Sequence, residues 1–226
     1  PPGGSGSASR PRNKGLELTQ TPYVTYLDPD NEQVNDTYIR LLDRVKDTGA
    51  DFAIGNMVRF KGKRNRINNS KELKKAIAKS AALDGNNADL LEKLGFKPMS
   101  IQALVADTAW LKSLNLEQPV GAVGQDSYFF QQMLYYARKV SITSRAAHIY
   151  YAEISTSTVN AISPKYYRKY LPLEEDRAKW LEEVGLLRAY QEDRFTQFLE
   201  HWYVKKLENV DPDDLDECID LIGEIN

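Results

Sequence analysis

At 226 residues the chain is long enough for one sizeable α/β domain with an extension, or for two small domains. A net charge of −2 argues against a general attraction to nucleic acid, and no apolar run approaches the length of a membrane span. The single Cys218 cannot close an internal disulfide, which fits a reducing compartment.

The chain opens on Pro, Gly and Ser, so residues 1–11 read as a loop or linker. A chain that starts this way, just before a site strand, reads as the later part of something larger. A short helix is expected over 13–18, a turn at 19–22 and a buried strand over 23–27. The apolar set Val34, Tyr38, Leu41, Leu42 and Val45 recurs at three and four residues, an amphipathic helix ending near Gly49. Residues 51–60 alternate and predict a second strand. The stretch 61–69 reads as a basic loop. With Arg59, Lys61, Lys63, Arg64 and Arg66 gathered there, it is a solvated loop first and an anion contact second.

Helices are expected over 71–83 and 87–94, and a strand or helix start over 100–106, followed by a short element at 108–114. A Gly-rich turn at 121–126 enters a helix over 127–137, and two short strands follow at 140–143 and 148–152. Beyond Pro164 the pattern turns helical: 166–171, 176–184, 187–207 and 213–222. This switch places an α/β core over 12–162 and a helical C-terminal extension over 163–226. The tail aromatics Trp180, Tyr190, Phe195, Phe198, Trp202 and Tyr203 sit at helical spacing and read as core before they read as a partner face. His148 and His201 have no companion at metal-ligand spacing and read as packed side chains.

Two acidic features carry chemistry. In a strand, residues i and i+2 face the same way, so Asp28 and Asp30 at a strand end can address one cation. Such ends of an α/β sheet are where ligands bind, and a divalent metal is the usual device for holding a diphosphate. An isolated Asp-x-Asp is more often a turn with a cap. A calcium loop fails, because its sixth and twelfth positions hold Gln33 and Ile39. Asp126 stands at the mouth of a helix, where negative charge is favoured; it is either a cap or a general base.

Taken together, Arg12-Asn13-x-Gly15-Leu16, Tyr23-Val-x-Tyr26-Leu-Asp28-x-Asp30, Ala50-Asp51-Phe-x-Ile-Gly-Asn56 and Gly124-Gln-Asp126-x-x-Phe129 resemble family-2 glycosyltransferases in order and spacing. The resemblance covers roughly residues 12–151. Ser163-Pro-x-x-Tyr167 and the helical tail are more weakly similar to bacterial members that decorate wall teichoic acid or surface glycans.

The resemblance implies a Rossmann-like GT-A fold lacking its first β-α-β unit. It implies inverting transfer from a nucleotide-sugar, usually a UDP-sugar, to a glycan or cell-surface polymer hydroxyl, in the cytoplasm or at the inner face of the membrane. Asp30 would hold Mn²⁺ or Mg²⁺, and Asp28 would contact the donor or the metal. Arg12 and Asn13 would belong to the donor loop, and Asp126 would be the base. The usual acidic residue before the base is Gln125 here. The alternative is a non-catalytic carbohydrate-binding or assembly module. Without the upstream unit the sheet is expected to show an open edge, to pair with parallel neighbours, and to associate, a homo-oligomer included.

Overall fold

The computed structural model describes residues 7–34, 36–152 and 162–225. Most of the expected linker therefore lies outside the described residues. What is described of it already enters the first helix, α1 (Ser9–Leu18), which starts four residues earlier than Asn13.

The sheet has six strands: β1 (Tyr23–Val24), β2 (Glu32–Gln33), β3 (Phe52–Lys61), β4 (Lys63–Ile67), β5 (Leu104–Asp107) and β6 (Val140–Tyr151). Their order is β1-β5-β3-β6-β2, with β4 also paired to β3. Only β3 and β6 run parallel; the other pairings are antiparallel. The expectation of parallel neighbours therefore fails outside the central pair. β5 flanks the first half of β3 and β4 its second half, so β3 is paired on both sides along most of its length.

Three local expectations change. The strand at 23–27 shrinks to two paired residues, because the chain leaves β5 after Val24. The basic stretch is no loop but a hairpin arm, turned at Gly62 and paired from Lys61↔Lys63 to Met57↔Ile67. The two short strands at 140–143 and 148–152 are one strand, β6, interrupted by an irregularity opposite residues 54–57 of β3. At that point a Cβ on Gly55 would stand 2.9 Å from the Arg145 carbonyl oxygen, so the close approach of the two backbones requires glycine.

β3 shows the period-two logic of a covered sheet. Phe52 and Ile54 face a large core shared with Leu104, Ala106, Phe129, Phe130 and Met133. Ala53 and Met57 face a smaller one beneath helix α2 (Thr37–Thr48), with Leu41, Val45, Val105 and Ala147. Between β4 and β5 lie α3 (Asn69–Ile77) and α4 (Ala88–Leu94). α5 (Thr108–Ser113) follows β5, with Asp107 accepting the Trp110 N–H at 2.7 Å as its cap.

α6 (Gln125–Tyr136) is the central helix of the larger face. Against it packs α8 (Leu171–Glu183), which in turn carries α7 (Pro164–Arg168) and α9 (Leu187–Tyr190). From α9 the chain stays helical through two π turns, Gln191–Phe195 and Leu199–Tyr203, either side of α10 (Thr196–Phe198). A 3₁₀ turn, Val204–Asn209, closes this run, and α11 (Leu215–Ile225) ends the described chain.

The tail is thus continuous with the core. Trp180 packs edge-on to Tyr128 and Tyr135 of α6, and the hydroxyls of Tyr166 and Tyr167 donate to the Trp202 and Tyr203 carbonyls. Cys218 is buried and free. Among the described residues no helix is long and apolar enough to cross a membrane.

Candidate active site

Two irregular segments meet at one end of the sheet. The first, between β1 and β2, makes a tight turn in which the Asn31 N–H donates to the Asp28 carbonyl at 3.1 Å. Asp28 and Asp30 therefore lie on a turn, not on a strand. Gln102, itself 4% exposed, pins this turn twice: its amide nitrogen donates to Asp28 Oδ2 at 2.5 Å, and its oxygen accepts from Asn31 Nδ2 at 3.3 Å. Arg12 Nη2 donates to both oxygens of Asp28, at 2.7 and 2.8 Å. Such a charge-assisted pairing fixes α1 against the turn.

Three protein donors thereby hold the Asp28 carboxylate, one on Oδ1 and two on Oδ2. Asp30 is exposed and makes no hydrogen bond or ion pair among the described residues.

The second segment is the turn into α6. Gly124 caps the helix with φ +82°, in the left-handed region, and a Cβ there would stand 3.1 Å from Leu173 Cδ2. Asp126 follows at the second helical position, so it is not the N-cap. Its carboxylate takes no hydrogen bond among the described residues.

These segments line one cleft of about 610 Å³, which brings together Arg12, Asp28, Asp30 and Asp126. Its walls also carry Arg59, Gln102, Gln125, Tyr150 and Trp202. Asn13 lies outside it: its side chain donates to the Gln118 carbonyl and accepts the Gln118 N–H, both at 2.9 Å. Of the residues named from sequence, five thus share the cleft or its wall, Gln125 included, and Asn13 clips a neighbouring loop.

Sequence reasoning passed over Gln102 and Tyr150, placed Trp202 with the core aromatics, and left Arg59 with the solvated cluster. Arg59 carried a usable signal, since it falls on the same strand as the buried run 52–57 and pairs with Tyr150 of β6. Trp202 was expected in the core, but it is 39% exposed on the cleft wall. His201 is exposed on its helix, where Nδ1 meets the Gln197 carbonyl, and it does not pack inside.

His148 is fully buried on β6, as a structural histidine should be. Burial drives its pKa down to about 4, against the opposing pull of Asp28 and Asp30. Its Nδ1 faces the Tyr38 hydroxyl at 3.2 Å. Tyr26, under the cleft, packs edge-on to Phe129, and burial pushes its hydroxyl up to about 12 against the pull of Arg12.

Residues 6–98 match the model of Glycosyl transferase family 2. The chain resembles a family-2 glycosyltransferase. S. aureus TarS 1-349 in complex with UDP-GlcNAc aligns with TM-score 0.66 at 17% identity, covering 100% of this chain and 62% of that one. The same protein in complex with UDP gives TM-score 0.65 at 17% identity, covering 100% of this chain and 61% of that one. Without either ligand it gives TM-score 0.62 at 15% identity, with the same coverage as the UDP complex.

The fold is therefore of the GT-A glycosyltransferase kind, and the chain spans about three-fifths of those structures. No curated protein sequence matches it.

Proposed function

We propose that this chain belongs to a glycosyltransferase that moves a sugar from a nucleotide-diphosphate donor, a UDP-sugar, to a hydroxyl of a glycan or cell-surface polymer, with inversion. One observation carries the reading: the cleft gathers a fixed Arg12–Asp28 pair, an unpartnered Asp30 and an unpartnered Asp126 from segments far apart in the chain. The two TarS complexes, one with UDP-GlcNAc and one with UDP, support a nucleotide-sugar donor.

The residues suit a divalent ion. Mg²⁺ needs only one or two carboxylates when substrate phosphates complete its shell. That matches a cleft in which Asp30 is free and Asp28 is taken, and in which no cluster of three acidic, His or Cys ligands occurs among the described residues. Bound there, Mn²⁺ or Mg²⁺ would offset charge on the leaving diphosphate.

Arg59 supplies positive charge to the cleft wall, while the charge of Arg12 is paired with Asp28. Asp28, held by Arg12 and Gln102, presents a fixed acceptor edge to the donor. Asn13 acts at one remove, by holding the 118 loop to α1.

Asp126 accepts the proton of the acceptor hydroxyl. The acceptor oxygen forms its bond to the anomeric carbon as the bond to the diphosphate oxygen breaks, and UDP leaves with that electron pair. The uncommitted carboxylate of Asp126 is what a general base requires, since a proton acceptor already engaged by strong donors has less capacity to act.

Asp126→Asn keeps the shape and removes the proton acceptor. Turnover measured as UDP release should fall by about 10²–10⁴-fold, with UDP-sugar affinity nearly unchanged. Retained turnover in the folded variant would exclude Asp126 as the base.

A further inference from the structure

We propose that the hairpin arm of β3 and β4 is a docking surface for an anionic lipid bilayer, which it meets tip first. Charge is divided unevenly along this chain. Residues 59–79 hold nine Lys and Arg against the single Glu72, a local charge of +8, so the remaining residues carry −10. All nine cations are exposed, and none forms an ion pair with a carboxylate among the described residues. Glu72 pairs instead with Lys97, at 3.3 Å. Unpaired cations gathered on a chain of negative net charge attract anions at one place and not everywhere.

The arm sets its cations around an end. Residues directly opposite each other in a ladder share a face. Arg59, Lys61 and Lys63 therefore stand on one side of the arm, and Arg64 and Arg66 on the other. A groove that tracks a linear polyanion would place its cations on one side. Cations on both sides of a turn at Gly62 suit a plane of negative charge that the tip enters.

The Arg64 side also carries apolar surface. Val58 and Phe60 lie there, beside Ile149 and Tyr151 of β6. All four are half-buried, and none belongs to either hydrophobic cluster. Phe60 and Tyr151 pack edge-on with ring centres 5.9 Å apart. Glu32 stands beside the Tyr151 hydroxyl and offsets one of the nearby charges. Aromatic and aliphatic side chains rimmed by arginine match the boundary of a bilayer, where rings enter among the headgroups and cations meet lipid phosphates.

Helix α3 extends the basic surface. It is tied to the base of the arm, where Asn69 Nδ2 donates to the Gly55 carbonyl at 3.3 Å and the Ser70 N–H to Asn56 Oδ1 at 2.9 Å. Leu73 and Ala76 are buried beneath it, while Lys71, Lys74 and Lys75 form a stripe on its exposed side. The acidic end of the chain opposes this. Residues 208–226 hold eight Asp and Glu and no Lys or Arg, so the same bilayer repels them and the arm leads. Arg59, on the cleft wall, is two residues or about 7 Å along the strand from Lys61. Docking thus brings that wall of the cleft to the membrane surface.

Flotation of the full chain with vesicles of phosphatidylglycerol and phosphatidylcholine in equal parts, and with phosphatidylcholine alone, tests this. The mixed vesicles should bind at least about tenfold more tightly, and about 0.5 M salt should release the chain. Lys61→Gln, Lys63→Gln and Arg64→Gln combined should weaken binding about 100-fold. Arg10→Gln, Lys14→Gln and Lys93→Gln remove the same charge from exposed positions elsewhere and should cost nothing.

No binding, equal binding to both kinds of vesicle, full binding by the folded tip variant, or equal losses in the two triple variants overturns the docking surface. Binding of polyphosphate through the arm without binding of vesicles would assign it to a linear polyanion and overturn it as well. Should the tip variant fail to fold, the two kinds of vesicle and the salt release still decide on the parent chain.

Discussion

Arg12 and Asp28 show how one pair can set a site without reacting in it. Their side chains are 10% and 30% exposed, so the pair is partly withdrawn from water, where an ion pair with good geometry matters more than it does at the surface. With Asp28 held by Arg12, Asp30 is the carboxylate of this turn with no hydrogen bond or ion pair among the described residues. Behind this turn, His148 gives the fold an acid sensitivity. Its folded pKa of about 4 lies below its ordinary value of 6.5, so below pH 6.5 the unfolded chain takes up a proton that the folded chain refuses. Stability from this residue is complete above pH 6.5 and is lost as pH falls toward 4, by about 3 kcal/mol at most. Chemical unfolding at pH 7, 5.5 and 4 should show a steeper loss for the parent than for His148→Gln. Parallel curves would mean that His148 is not buried neutral.

At the scale of elements, the turn into α6 ties stability to the position of Asp126. Gly124 sits at φ +82° and faces Leu173 of α8, so Gly124→Ala meets both a left-handed backbone and a tight contact. The cost should be about 1–3 kcal/mol, read as a lowered midpoint of thermal unfolding, together with reduced turnover because Asp126 is two residues away. An unchanged midpoint would show that the turn relaxes freely.

The same elements show what was legible in the sequence. The buried run 52–57, the period of α2 and the Gly-Gln-Asp entry to α6 all carry local patterns, and each is found in place. The Asp-x-Asp was placed on a strand because Tyr23 to Leu27 is β-rich. Its actual turn is fixed by Arg12, which sequence had assigned to the donor loop, and by Gln102, which lies 74 residues from Asp28 and leaves no local mark. The arm β4 was equally hidden, since five exposed residues rich in Lys and Arg pair as an edge strand chiefly through backbone bonds.

On the scale of the whole molecule, the helical tail and the sheet are one hydrophobic body. Leu173, Trp180 and Leu181 of α8, Tyr203, and Leu221 of α11 belong to the same buried cluster as Phe52 and Ile54 of β3. A chamber of about 230 Å³ beside Asp126 is walled by the tail, through Arg177, Arg194, Phe198 and Trp202, by the start of α6, and by Phe96 and Pro98. A boundary near residue 163 is therefore a change of secondary structure and not a break in the core. Removing the tail would expose the side of α6 that carries Tyr128 and Tyr135, both buried and both packed edge-on to Trp180.

Unfolding should accordingly be a single cooperative event. Far-ultraviolet circular dichroism reports helix and sheet, while tryptophan fluorescence reports Trp110 near the sheet and Trp180 and Trp202 in the tail. For one core these probes should share a midpoint in urea. Residues 1–162 alone should lose that transition and associate, as seen by light scattering, because an apolar face of this size does not stay single in water. Two separated transitions in the full chain, or a monodisperse and cooperatively folded 1–162, would show that the tail is a domain of its own and that the chamber lies between two independent bodies.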